Sequence, residues 1–284
     1  MTEVRQERVG SVRRMLAVSR PRFWPYLVGP VAVGLVAAGW RGDWTMVALL
    51  AYCSLPANLL IYGVNDLFDR ETDRLNDKKG SYEALLDPRE DRRLKRLILL
   101  TNLPFLALVP FLPWPALVWL GVFLVLGVGY SAPPLRFKTR PGLDAASNFL
   151  YAAPGFAAYT AVAGRWPEPL LVVAALLWCA AMHAYSAVPD IVADRRAGMP
   201  TIATVLGARP TLALCLGLWL ASAALLAPWL PLVAAVGGAA YLVLGLASLG
   251  ALRREGALLR LYKVFPFVNT ALGGVLFFAV FFGL

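Results

Sequence analysis

The chain has 284 residues, 59% of them hydrophobic and 15% charged, with a mean hydropathy of +0.64. This balance excludes a soluble ligand-binding module or scaffold and predicts a polytopic membrane protein folded as a single domain over 1–284. The formal net charge of +10 is spread over short loops without an RNA- or DNA-binding motif, so the expected partner is the lipid bilayer and not nucleic acid.

Residues 1–20 are polar and mixed in charge and read as a cytoplasmic N-terminal segment. The apolar run that starts near Phe23 is too long for a signal peptide and lacks a cleavage signature, so none is expected. Apolar runs recur near 23–40, 44–64, 95–112, 115–131, 145–163, 168–188, 210–227, 229–250 and 263–283. They predict an all-α bundle of nine transmembrane helices. Pro30, Pro56, Pro104, Pro110, Pro154 and Gly217 fall inside these runs, where membrane bundles tolerate kinks. Cys53, Cys179 and Cys215 lie far apart in apolar runs, with no metal spacing and no expected disulfide.

Charge sets the orientation. A cytoplasmic N-terminus puts all but two of the 27 Lys and Arg residues on the inner side, leaving only Arg41 and Arg165 outside. The positive-inside rule therefore predicts an inside N-terminus and an odd number of spans.

Span two ends in Asn65-Asp66-Leu67-Phe68-Asp69-Arg70-Glu71-Thr72-Asp73. On a helix, Asp66, Asp69 and Asp73 fall within an arc of ~60°. Three like charges on one face repel unless cations lie among them. One reading is a solvated acidic helix end. The other is a site where carboxylates hold hard divalent ions, with phosphate oxygens and water completing the shell. Span six ends similarly, in Asp190-Ile191-Val192-Ala193-Asp194, whose acids sit about 40° apart on a helix face. Two acidic stretches at matching inner ends favour a single Mg²⁺–diphosphate site with Asp66, Asp69, Asp73, Asp190 and Asp194 as catalytic and metal-binding residues. Among the basic residues that flank them, Lys79, Arg136 and Lys138 are the chosen partners for a leaving diphosphate; the others serve topology.

The chain resembles the UbiA-type intramembrane prenyltransferases along nearly its whole length. The likeness rests on Asn65-Asp66-x-x-Asp69-x-x-x-Asp73, Asp190-x-x-x-Asp194 and Tyr130-Ser131-Ala132-Pro133-Pro134-Leu135-Arg136-Phe137-Lys138. The resemblance implies nine helices around a lipid-facing cavity, capped on the cytoplasmic side by the loops after helices two and six. It implies Mg²⁺-dependent transfer of an isoprenyl group from a prenyl diphosphate to a hydrophobic acceptor, with the active site facing the cytoplasm of a cell-membrane protein. Asn65 joins the acids by position; Tyr130 and Lys138 resemble the family's Tyr/Lys loop, at a longer spacing than Tyr-x-x-x-Lys. Arg20 and Arg22, entering span one, resemble basic residues near the diphosphate. Within the family, Asn76-Asp77-Lys78-Lys79-Gly80, Glu83, Arg140-Pro141-Gly142-Leu143-Asp144, Ser147-Asn148 and Tyr151-x-x-Pro154-Gly155 look like the lycopene elongase branch. The acceptor is then a carotenoid, with an aromatic quinone precursor as the alternative.

The implied chemistry is ionisation to an allylic cation in a dry, aromatic-lined cavity. Phe68, Tyr130, Phe149 and Tyr151 are the candidate aromatics, each weighed against ordinary packing. His183, the single histidine, is weighed in the same way. An ion-coupled transporter is the rival class, since it too uses intramembrane acids and repeated halves. Against it, the acids sit at the inner ends and not at the midplane.

Overall fold

The computed structural model describes residues 12–69, 90–254 and 256–284. Every regular element among them is helical, as the sequence predicts. In chain order the α-helices are α1 (Val12–Ser19), α2 (Pro25–Ala37), α3 (Trp44–Cys53), α4 (Leu55–Phe68), α5 (Asp91–Asn102), α6 (Trp114–Gly129) and the short α7 (Leu143–Ala146). They continue as α8 (Ala153–Ala163), α9 (Pro169–Ala187), the short α10 (Ile191–Arg196) and α11 (Ile202–Leu206), then α12 (Ala208–Leu226), α13 (Pro231–Ala251) and α14 (Ala257–Phe282).

Among the described residues, six helical runs are long and apolar enough to cross a membrane: Trp44–Phe68, Asp91–Phe111, Pro169–Arg196, Ala208–Leu226, Pro231–Ala251 and Ala257–Phe282. Pro25–Ala37 and Trp114–Gly129 are apolar but shorter. The run expected at 145–163 is divided among α7, a 3-10 turn at Ser147–Tyr151 and α8. Pro154 stands in the first turn of α8, where its missing N–H costs no helical hydrogen bond. Trp44, Trp114, Trp166 and Trp229 are exposed at the helix ends remote from Asp69 and Asp190, as an interfacial aromatic belt requires.

The break between α3 and α4 positions the first acidic stretch. Ser54 leaves helical geometry, and Pro56 stands in the first turn of α4. The freed carbonyls of Cys53 and Ser54 accept from the amide of buried Asn58, at 2.9 and 2.5 Å. Such internal satisfaction is obligatory where lipid offers no hydrogen bonds.

Packing between helices relies on close approach, because lipid tails are as apolar as leucine. On α2 and α8, a Cβ at Gly34 would fall 2.2 Å from the Gly155 carbonyl oxygen, and one at Gly155 would fall 2.5 Å from that of Pro30. The core has an N-terminal cluster around Leu27, Leu49, Ile61 and Phe123. A second, C-terminal cluster surrounds Tyr185, Leu212, Trp219 and Phe265. Tyr151 packs against both clusters, and the site lies beside it.

Candidate active site

Helical periodicity puts Tyr62, Asp66 and Asp69 on one face of α4. Asp66 is buried, and its Oδ1 accepts from Arg20 Nη2 at 3.0 Å. The same guanidinium lies 4.6 Å from the centre of the Tyr62 ring, a cation–π contact. Arg20 and Arg136 are the two non-glycine residues with positive φ among the described residues, at 50° and 39°. Left-handed backbone costs such residues ~1 kcal/mol, and both flank this site.

Asp69 caps the C-terminus of α4, where the helix dipole disfavours a negative charge. Neighbours offset that cost. Asn65 Nδ2 donates to Asp69 Oδ2 at 2.6 Å and to Ser131 Oγ at 3.0 Å, and Ser131 Oγ donates to the same carboxylate oxygen at 3.2 Å. Lys138 Nζ forms an ion pair with Oδ1, both side chains being buried. The loop after α6 delivers this lysine by folding back on itself. Its turn is closed by Lys138 N–H donating to the Tyr130 carbonyl at 3.1 Å. The longer Tyr-to-Lys spacing is thus taken up by a compact loop. Burial pulls the Lys138 ammonium down to about 8, opposed by the nearby Asp194 carboxylate. One buried cation therefore touches the first acidic stretch and feels the second.

The second stretch begins where α9 gives way to a 3-10 turn at Val188–Asp190 and continues into α10. Asp190 is half-buried and Asp194 buried. Fully buried Asp144 ties the loop after α6 to the start of α11, accepting from Gly142 N–H at 2.7 Å and from Ile202 N–H at 2.8 Å. His183 Nε2 lies 4.0 Å from Asp144 Oδ2 and 3.4 Å from the Tyr130 hydroxyl.

An aromatic layer lies next to the Arg20–Asp66 pair. The Tyr62 and Tyr151 hydroxyls are 3.0 Å apart, the Tyr151 ring is 5.8 Å from Tyr26, and Phe23 contacts Tyr26 and Tyr62 at 5.9 and 5.8 Å. From Tyr26 a cavity of about 890 Å³ runs between α2, α8, α9, α12, α13 and α14 to Arg165 and Trp166. Its wall is mostly apolar, with Arg165 and Glu168 at one end, and Asp66, Asp69, Asp190 and Asp194 do not line it. Along α2 it extends from Pro25 to Ala37, roughly 18 Å at 1.5 Å per residue. Charge and apolar volume are thus separate compartments joined through a layer of rings.

Of the residues expected from sequence, Asn65, Asp69 and Lys138 meet directly, together with Ser131. Asp66 pairs with Arg20. Arg22 is exposed, its guanidinium 4.7 Å from the Phe23 ring centre, and Arg136 is also exposed. Asp73 and Lys79, like the segment from Asn76 to Glu83, lie outside the described residues. Phe68 is exposed, and Phe149 packs against Trp119 and Phe156. Sequence reading did not select Tyr26, Tyr62 or Ser131. Tyr62 sits one turn before Asp66, which is a usable signal; Tyr26 has no motif around it.

The donors fit a magnesium ion in type, being buried carboxylates at the C-terminal end of α4 and on α10. Among the described residues, no three His, Cys, Asp or Glu side chains form a ready-made cluster. Mg²⁺ does not require one, because it binds through one or two carboxylates with phosphate and water oxygens completing its octahedron.

Residues 23–264 match the UbiA prenyltransferase family. A protein named lycopene elongase/hydratase from Haloferax volcanii is 47% identical over 201 residues, an alignment taking in 69% of this chain and 65% of that one. A protein of the same name from Halobacterium salinarum is 45% identical over 202 residues, covering 69% of this chain and 72% of its own. The chain thus spans about two thirds of the length of the curated relatives it matches. Among solved structures, a UbiA homolog from Archaeoglobus fulgidus bound to DMAPP and Mg²⁺ superimposes with a TM-score of 0.71 at 23% identity, covering 95% of this chain and 99% of that one. The helical fold, the apolar membrane-crossing runs and the match over residues 23–264 together establish that the chain belongs to the UbiA prenyltransferase family.

Proposed function

We propose that this protein transfers an isoprenyl group from an allylic prenyl diphosphate to a linear polyene acceptor, a carotenoid such as lycopene, at a site on the cytoplasmic side of a nine-span, single-domain bundle. The observation that carries this reading is Lys138, a buried cation that pairs with Asp69 and lies in the field of Asp194. It supports reading two acidic stretches about 120 residues apart in sequence as parts of one centre. Asp66, Asp69, Asp73, Asp190 and Asp194 would hold Mg²⁺, which when bound offsets the charge of the diphosphate. Arg20, Lys138 and, from the loops, Lys79, Arg22 and Arg136 supply positive charge to the leaving group. Charge grows there as the C–O bond breaks, so preorganised cations act where they lower the barrier most. Asn65 and Ser131 hold the Asp69 carboxylate in register; Tyr130 buttresses the same loop.

The allylic cation forms against the Phe23, Tyr26, Tyr62 and Tyr151 rings, whose π faces favour positive charge. The bilayer-depth cavity receives the acceptor lengthwise. A long apolar cavity suits an extended polyene better than a compact quinone ring, and the relatives named lycopene elongase/hydratase support that choice. Their double name adds two endings to the reading, proton loss or uptake of water.

The test is to incubate membranes carrying the protein with labelled allylic diphosphate, Mg²⁺ and either lycopene or an aromatic quinone precursor, with and without chelator. The expected result is a chelator-sensitive lengthening of lycopene. Absence of product from both acceptors, with Asp69→Asn behaving like wild type, contradicts the enzyme assignment. Product from the aromatic acceptor alone contradicts the polyene.

A further inference from the structure

At the level where the cavity meets the aromatic layer, its wall carries a connected polar strip. Trp178 Nε1 donates to the Tyr241 hydroxyl at 2.6 Å, Tyr241 donates to Asn269 Oδ1 at 2.8 Å, and Asn269 Nδ2 donates to the Tyr26 hydroxyl at 3.1 Å. The four residues come from α9, α13, α14 and α2, and all line the cavity. An indole N–H only donates, so it fixes the direction of the chain. Each hydroxyl and amide passes its donor onward, and the series ends on the Tyr26 hydrogen. That hydrogen has no acceptor among the described residues. Trp219, 1% exposed, stacks on Tyr241 at 4.6 Å and lines the same cavity. Its own Nε1 is buried without a partner.

Such a strip is costly for packing alone. Buried polar groups in apolar surroundings lose free energy unless satisfied, and Phe and Leu would fill the same volume without that cost. A directed chain ending in an unspent donor at a cavity wall is instead suited to hold a small polar molecule.

We propose that Tyr26, oriented through Asn269, Tyr241 and Trp178, holds the water molecule that ends the reaction, so that part of the product leaves as a tertiary alcohol. The inference rests on the prenyl-transfer reading above. In that reaction the C–O bond of the donor breaks, and its electron pair leaves with the diphosphate. The π pair of the acceptor's terminal double bond forms the new C–C bond and leaves a tertiary cation on the acceptor. Tyr26 O–H donates to one lone pair of the water, and the other lone pair forms the C–O bond to the cation. The water's proton passes to the released diphosphate, so that donor, acceptor and water give a prenylated alcohol and protonated diphosphate. Tyr26 is the catalytic residue of this step; Asn269, Tyr241 and Trp178 are positioning residues.

The experiment runs the reaction with lycopene, allylic diphosphate and Mg²⁺ in H₂¹⁸O and measures, by mass spectrometry, the ratio of ¹⁸O-labelled alcohol to prenylated alkene. The wild type is expected to yield labelled alcohol, and Tyr26→Phe to lower the ratio at least tenfold whatever the total turnover. Tyr241→Phe interrupts the chain at a distance and lowers the ratio in the same direction; it replaces Tyr26→Phe should that variant not accumulate. Alkene alone from the wild type, or an unchanged ratio in the variant, overturns this inference and leaves prenyl transfer standing. No prenylated product from the wild type overturns prenyl transfer itself and the inference with it.

Discussion

Lys138 is the residue on which the site turns, because its buried charge pairs with Asp69 and the Asp194 carboxylate acts on it. Replacing it by Met leaves Asp69 without its cation and removes one stabilising charge from the leaving group. Losing one preorganised partner of transition-state charge costs on the order of 10²–10³ in turnover. We expect that fall in kcat/KM for the prenyl diphosphate in Lys138→Met, with Lys138→Arg retaining the larger part; steady-state kinetics on purified protein check it. Asp144 acts differently, since both its oxygens accept from backbone N–H groups on separate segments. Asp144→Ala removes the acceptor of two partly buried donors, at up to ~1–3 kcal/mol each, so it should lower the thermal midpoint in detergent, an effect read without substrate. The acids were legible from their spacing, because like charges at helical intervals demand a reason. Tyr26 and Ser131 were not, because a tyrosine or serine in an apolar run reads as packing until a neighbour from another helix is known.

At the scale of elements, α2 and α8 depend on two glycines facing each other across a sub-van-der-Waals gap for any side chain. Gly155→Ala should destabilise the fold by about 1–3 kcal/mol through overpacking against the Pro30 carbonyl. Gly273→Ala on α14 should be nearly silent, since a Cβ there meets nothing within 4 Å. Paired thermal unfolding of the two variants measures the contrast. Hydropathy located the apolar runs well, because lipid imposes long apolar helices. It missed the divisions within them at Ser54 and at 147–151. Those depend on which carbonyls a side chain such as Asn58 can satisfy, and no periodicity reports that.

At the scale of the molecule, the aromatic layer divides the buried charges from the apolar cavity, which in the proposed reading takes the acceptor lengthwise. A bulky side chain at Gly274, which lines the cavity with open space around its Cα, should obstruct a long acceptor. Gly274→Phe is expected to lower turnover with lycopene by tenfold or more while leaving prenyl-diphosphate affinity within about threefold, a contrast that acceptor kinetics and donor binding separate. Both acidic stretches are expected to serve one diphosphate. Equilibrium binding of a non-cleavable prenyl thiodiphosphate to wild type, Asp69→Asn and Asp194→Asn, each with Mg²⁺ and with chelator, tests this. Saturable binding to the wild type that requires Mg²⁺, and at least tenfold weaker binding to each variant, is the predicted result. Binding that survives chelation, or that is lost in one variant and untouched in the other, contradicts it.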